Sequence, residues 1–126
     1  MANRKVLVID DCWGIVKASI EKWSTEAVDI ECVAIIPDDL SCLSEYDALI
    51  VDGDGIGNGK FENGLQFLMS YDKPDGQAVV YHSGHGAYGD DKKNLEKRGV
   101  AVVMKGSNPE KLILAMRFAM EKTKGE

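Results

Sequence analysis

The sequence predicts a single α/β domain: a doubly wound, five-stranded parallel sheet of (βα)5 type with strand order 2-1-3-4-5. Three observations carry that expectation. Four short runs of aliphatic and β-branched residues each end on a polar residue, a fifth run alternates apolar with acidic residues, and segments of helical spacing separate them. Runs that are apolar throughout and closed by polar residues are what parallel strands covered on both faces look like. Strands that alternate with helices give repeated βα units and hence a parallel sheet.

The elements follow in order. Residues 5–10 (KVLVID) form the first strand, and the helical pattern over 13–23 puts Val16, Ile20 and Trp23 on one face. In residues 28–36 (VDIECVAII), Asp29 and Glu31 stand opposite Ile30 and Cys32, the pattern of an edge strand. A short helix over 39–45 turns Leu40 and Leu43 inward, and residues 47–52 (DALIVD) make the third strand. Leu65, Leu68 and Met69 mark the next helix, and residues 77–82 (QAVVYH) the fourth strand. The helix over 90–98 has Leu95 as its one apolar residue, and residues 99–105 (GVAVVMK) give the last strand. The final helix starts at Pro109, a residue favoured at the first helical position, and runs to about 122. Residues 1–4 and 123–126 read as frayed ends.

Composition narrows the function classes. A chain of 126 residues with 44% hydrophobic content is one domain's worth with one core. Its net charge of −6 argues against binding nucleic acid or an anionic membrane, and the pair Lys92-Lys93 is offset by Asp90 and Asp91. Cys12, Cys32 and Cys42 have neither metal-ligand spacing nor the density of a disulfide scaffold, which fits a reducing compartment. The opening MANRKVLVID is too briefly apolar for a signal or a membrane span. The expectation is a soluble cytoplasmic protein.

In a doubly wound sheet the working site lies beyond the carboxyl ends of the strands, at the switch point of strand order. Asp10, Asp11, Asp52, Ser83 and Lys105 stand at those ends. The loop after the third strand, IVDGDGIGNGKFENG, invites three readings. A Walker-type phosphate loop needs a glycine where Asp54 stands and Ser or Thr where Phe61 stands. A calcium loop starting at Asp52 would have Ile56 in a ligand position, Lys60 bringing the wrong charge and Asn63 replacing the bidentate glutamate. The third reading is the rim of an acidic site. Carboxylates of Asp10, Asp11 and Asp52 brought to roughly 5 Å would repel by about 3 kcal/mol per pair at an effective dielectric of about 20. Lys105 offsets part of that, and a hard divalent ion such as Mg²⁺ suits the remainder.

VLVIDD, DALIVD, VVYHSG and VVMKG, in this order and at these intervals, resemble the receiver domain of two-component response regulators, which has a flavodoxin-like sheet. The resemblance covers essentially the whole chain. It implies that Asp52 accepts a phosphoryl group from a histidine kinase or a histidine-containing phosphotransfer protein. It further implies Mg²⁺ held by Asp11 directly, by Asp10 largely through water, by Asp52 and by the backbone carbonyl of Asp54. Ser83 would bond the phosphoryl oxygen and Lys105 would pair with it. The signal would pass to a downstream protein by contact.

The sequence departs from that pattern in named places. Gly106 follows the lysine where receivers usually have proline, and Val102 takes the place of the switch aromatic, for which Tyr81 or Tyr88 is the substitute at hand. Asn63-Gly64-Leu65, which resembles the family's Asp-Gly-Leu, comes about four residues late, and the loop's usual proline is missing. The glycines predict an extended, mobile rim around Asp52.

His82 and His85 bracket Ser83 but lack further zinc ligands; His82 packs under the loop, and His85 falls where receivers tune access of water to the acyl phosphate. Cys12 follows two acids, which disfavour its thiolate, and reads as helix packing. In the last helix, Leu112, Met116 and Ala119 facing the sheet would leave Leu114 and Phe118 outside as a partner or homodimer surface. The reading is a stand-alone receiver. Its alternatives are a degenerate receiver that binds partners without phosphorylation and, further off, a metal-dependent phosphohydrolase.

Overall fold

The computed structural model describes residues 4–23, 28–84, 87, 89–106 and 109–124, with backbone alone at 23, 109 and 118–124. Strands β1 (Arg4–Ile9), β2 (Val28–Val33), β3 (Ala48–Asp52), β4 (Ala78–Ser83) and β5 (Val100–Met104) form one sheet. Every pairing is parallel and the order is β2-β1-β3-β4-β5, as the sequence predicts. Helices α1 (Trp13–Trp23), α2 (Gly64–Ser70), α3 (Gly89–Lys97) and α4 (Pro109–Lys124) alternate with the strands, and a 3-10 helix (Leu40–Glu45) takes the place between β2 and β3. Several boundaries differ from the expectation: β2 ends at Val33 and not at 36, and α4 reaches Lys124 and not about 122. Arg4 is paired with Val28 and is no frayed end, and Ser83 is still in β4, paired with Met104.

Strand periodicity divides the core in two. Leu7, Ile9, Leu49, Val51, Val79 and Tyr81 face one side, where Leu43, Ile56, Phe67 and Leu95 cover them. Val6, Val8, Ala48, Ile50, Val80 and Val103 face the other, under Val16 and Ile20 of α1 and Leu112, Ile113 and Met116 of α4. The central strands are thus sealed on both faces, while edge strand β2 alternates between partly buried and exposed positions.

The short helices are held by side chains more than by propensity. The segment read as a short helix over 39–45 is a 3-10 turn, in keeping with the poor nucleation of so short a piece. Asp39 caps it by accepting from the Ser41 backbone N–H at 3.0 Å, and Leu43 is fully buried. Leu40 is only partly buried. At the opposite end of the sheet from the candidate site, buried Gln77 donates to the carbonyls of Leu43 (2.7 Å) and Tyr46 (3.0 Å) and accepts from the Tyr71 hydroxyl (2.7 Å). In α2 the anchor is Phe67, which the sequence pattern did not single out; Leu68 is buried beside it, with Leu65 and Met69 only partly buried. Leu95 is the buried residue of α3. Leu114 on α4 is 58% exposed, as expected. The side chains of Trp23, Phe118 and Ala119 fall outside the described residues. No helix among the described residues is long and apolar enough to cross a membrane.

Phe67→Ala empties the centre of one core layer and is expected to lower the urea-unfolding free energy by about 3–5 kcal/mol. Leu114→Ser, on the solvent side of α4, should change it by less than about 0.5 kcal/mol.

Candidate phosphoacceptor site

The carboxyl ends of β1, β3, β4 and β5 converge because these strands are direct neighbours in the sheet. The Lys105 ammonium lies 2.9 Å from Asp10 Oδ2 and 3.0 Å from Asp52 Oδ1, so one cation joins two carboxylates that are themselves almost fully buried. Two backbone bonds fix the chain here. The Cys12 N–H donates to Asp10 Oδ1 at 2.8 Å, and the Lys105 N–H donates to the Ser83 carbonyl at 2.8 Å.

Asp11 is exposed and lies over the glycine-rich loop after β3: a methyl group placed on Gly55 would come within 2.6 Å of its carboxylate. Ligand atoms of Asp10, Asp11 and Cys12 lie within 4.8 Å of one another. Ser83 is buried, and a methyl on Gly53 would sit 2.4 Å from its hydroxyl and 2.6 Å from that of Tyr81. The Ser83 and Tyr81 hydroxyls share a hydrogen bond, against the backbone just beyond Asp52. Of the two substitute aromatics, Tyr81 therefore touches Ser83, whereas Tyr88, like His85, falls outside the described residues. The Asp54 backbone N–H bonds the Asp52 carboxylate. Its side chain is exposed.

Electrostatics follow from one ammonium serving two acids. Burial pushes the Asp52 carboxyl above its ordinary value and the Asp10 charge adds to this, against the pull of Lys105 and the Asp54 N–H. For Lys105, burial pulls down, but the bonds to both carboxylates prevail and hold the ammonium above its ordinary value. The two directions agree physically: Lys105 gains from two partners, while Asp52 is buried, shares its cation and has Asp10 as a repelling neighbour. His82, half-buried next door, is pushed down to about 4 by burial and by the Lys105 charge, so its ring is neutral at pH 7.

The glycine-rich loop is not the free rim the sequence suggests. Ile56 is fully buried and its carbonyl accepts from the Ile36 N–H at 2.8 Å. Asn58 Oδ1 accepts from the N–H groups of Lys60 (2.9 Å) and Phe61 (3.1 Å), while its amide donates to the Ile36 carbonyl (3.1 Å). The Phe61 ring meets Phe67 edge-on at 5.4 Å. The calcium-loop reading fails at the same place, since Ile56 belongs to the core. Gly64 is forced by close approach: a methyl there would lie 1.8 Å from the Asp52 carbonyl oxygen. Gly106 has φ +83°, which the ring of proline cannot reach.

Site and sheet together define a doubly wound domain with an acid pair, a central aspartate, a hydroxyl and a lysine at its switch point. No family model matches the sequence, and no curated protein matches it by sequence. Solved structures do match. A CheY-like response regulator receiver domain from Methanospirillum hungatei JF-1 superposes with a TM-score of 0.75 at 16% identity, over 98% of each chain. The receiver domain of the Francisella response regulator 1452 gives 0.71 at 21% identity, over 96% of this chain and 99% of that one. A response regulator receiver domain from Clostridium thermocellum gives 0.69 at 22% identity, over 96% and 97%. The chain has the receiver-domain fold.

Gly64→Ala is expected to cost more than about 2 kcal/mol of stability in urea melts. Gly14→Ala, on the open face of α1 with nothing within 4 Å, should add about 0.5–1 kcal/mol. The depressed His82 pKa makes a second test. Stability from a neutral buried imidazole is complete above pH 6.5 and lost as pH falls from 6.5 towards about 4. Urea midpoints of His82→Leu should therefore fall less steeply than wild type across that window.

Proposed function

We propose that the protein is a phosphoacceptor of two-component signalling, phosphorylated on Asp52 by a histidine kinase or a histidine-containing phosphotransfer protein, and that it signals by protein contact. The observation that carries this reading is the Lys105 ammonium bonded at once to Asp10 and Asp52 beside the buried Ser83 hydroxyl.

The donor set fits Mg²⁺. Three carboxylates against one ammonium leave two negative charges, carried by hard oxygen atoms, and Asp11 is exposed and outside the lysine's embrace. Asp11, with Asp10, Asp52 and the Asp54 carbonyl, would hold the ion. When bound, it supplies positive charge that lets an anionic donor approach an anionic acceptor.

The protein's own groups do the rest. A carboxylate oxygen of Asp52 forms the new bond to phosphorus as the donor's phosphorus–nitrogen bond breaks, the pair returning to the imidazole. Lys105 offsets part of the burial cost of the Asp52 charge and then meets the phosphoryl group's charge. Ser83 leaves Tyr81 to donate to a phosphoryl oxygen, which transmits the event to the β4–α3 connection. Leu114, exposed on α4, offers a contact for a partner or a second copy. A second reading, an interaction module that works without phosphorylation, is favoured by Gly106 and by Val102 in the switch position.

Incubation with acetyl phosphate and Mg²⁺ should add one phosphate by intact mass, and Asp52→Asn should abolish it. Lys105→Met should slow labelling by about 10²-fold. Absence of label from wild type with any donor would sink the proposal in favour of the second reading.

A further inference from the structure

A cavity of about 350 Å³ opens beside the site, between α1, β5 and α4. That is within the range of small-ligand pockets and roughly twice the ~150 Å³ that accepts one benzene ring. Its body is apolar, lined by Ile15 and Val16 of α1, Val103 of β5 and Leu112 of α4. Asp10, Lys105 and His82 also line it, and so does Ser19 of α1. Lys105 is already shared by Asp10 and Asp52 at 2.9 and 3.0 Å, so an anionic head would find no free positive charge there. His82 is a neutral ring with one donor and one acceptor nitrogen, and its Nδ1 is buried with no hydrogen-bond partner among the described residues.

We propose that this cavity binds a neutral, mostly apolar molecule about two fused rings in size, carrying a single hydroxyl or N–H group, and that its occupancy modulates phosphorylation of Asp52. Asp10 and Lys105 belong to both sites. A ligand that shifts either one changes the phosphoacceptor, and by linkage the state of Asp52 changes ligand affinity by the same factor. The binding half stands on the cavity alone; the modulation half rests on the function proposed above.

The test uses the full chain, isotopically labelled, titrated with 2-naphthol and followed by NMR. Saturable shifts confined to the residues around Val16, Val103 and Leu112, with a dissociation constant on the order of 0.1 mM, are expected for a probe of about eleven non-hydrogen atoms. Ser19→Trp, which fills the cavity from α1, should weaken binding at least tenfold. Ile15→Trp blocks the mouth from a position 73% exposed and serves if the first variant does not fold. His82→Leu should weaken 2-naphthol more than naphthalene. Equal or tighter binding of 2-naphthoate, unaltered affinity in a folded Trp variant, or the lack of saturable shifts would overturn the site. With the site established, acetyl phosphate labelling at saturating 2-naphthol should change at least threefold; an unchanged rate overturns the modulation. Failure of wild type to label at all refutes the phosphoacceptor reading and leaves the binding result readable.

Discussion

Two nearly buried carboxylates at the ends of adjacent strands are tolerable only because one ammonium reaches both. At contacts of 2.9 and 3.0 Å, each attraction is on the order of 5 kcal/mol at an effective dielectric of about 20, against several kcal/mol of desolvation for every ion taken from water. The cluster therefore adds little net stability, yet it fixes position. Losing the lysine would leave two like charges buried without compensation. The geometry of β5 follows from this demand. Its last residues must carry Lys105 past the end of the sheet and back towards β1 and β3, so the Lys105 N–H is tied to the Ser83 carbonyl and the chain then turns away through Gly106 at φ +83°. A glycine in place of proline is here a conformational requirement of the turn.

Next to Val102 of β5 stands the one aromatic residue of β4: Tyr81 lies opposite it in the sheet register, at the same height. It shares a strand face with Ser83, two residues on, which brings the two hydroxyls together. Burial keeps the Tyr81 hydroxyl protonated, with its pKa held above the ordinary value. The pair is thus a neutral hydrogen-bonded unit next to a charged one.

What the sequence made legible depended on repetition. Strands sealed on both faces write themselves as apolar runs, and their polar ends named Asp10, Asp11, Asp52, Ser83 and Lys105 before any distance was known. Phe67 was missed because α2 has seven residues, too few for a helical period to stand out. Ile56 was read only as an obstacle to calcium binding. A lone isoleucine among glycines gives no periodic signal, and its burial depends on the β2 connection arriving alongside to bond it through Ile36. The same holds for the loop as a whole, whose glycine content suggests freedom while Asn58 and Phe61 remove it. Cavities have no sequence signature at all, since the space between Val16, Val103 and Leu112 is set by α1 near the start of the chain and by β5 and α4 near its end.

The two faces of the sheet consequently treat the same ion cluster in different ways. On the side of Tyr81 and Ser83, the glycine-rich loop is anchored by Ile56 in the core, Asn58 in its turn and Phe61 on Phe67. The Ser83 and Tyr81 hydroxyls stand on this side, against the backbone of Gly53. On the side of His82 and Val103, α1 and α4 stop short of closing over the strand ends, leaving room for another molecule against Asp10 and Lys105. Strand alternation is the reason: consecutive residues His82 and Ser83 point to opposite layers. One residue thus borders the cavity while the next faces Tyr81 and the loop after β3, and both stand beside Lys105.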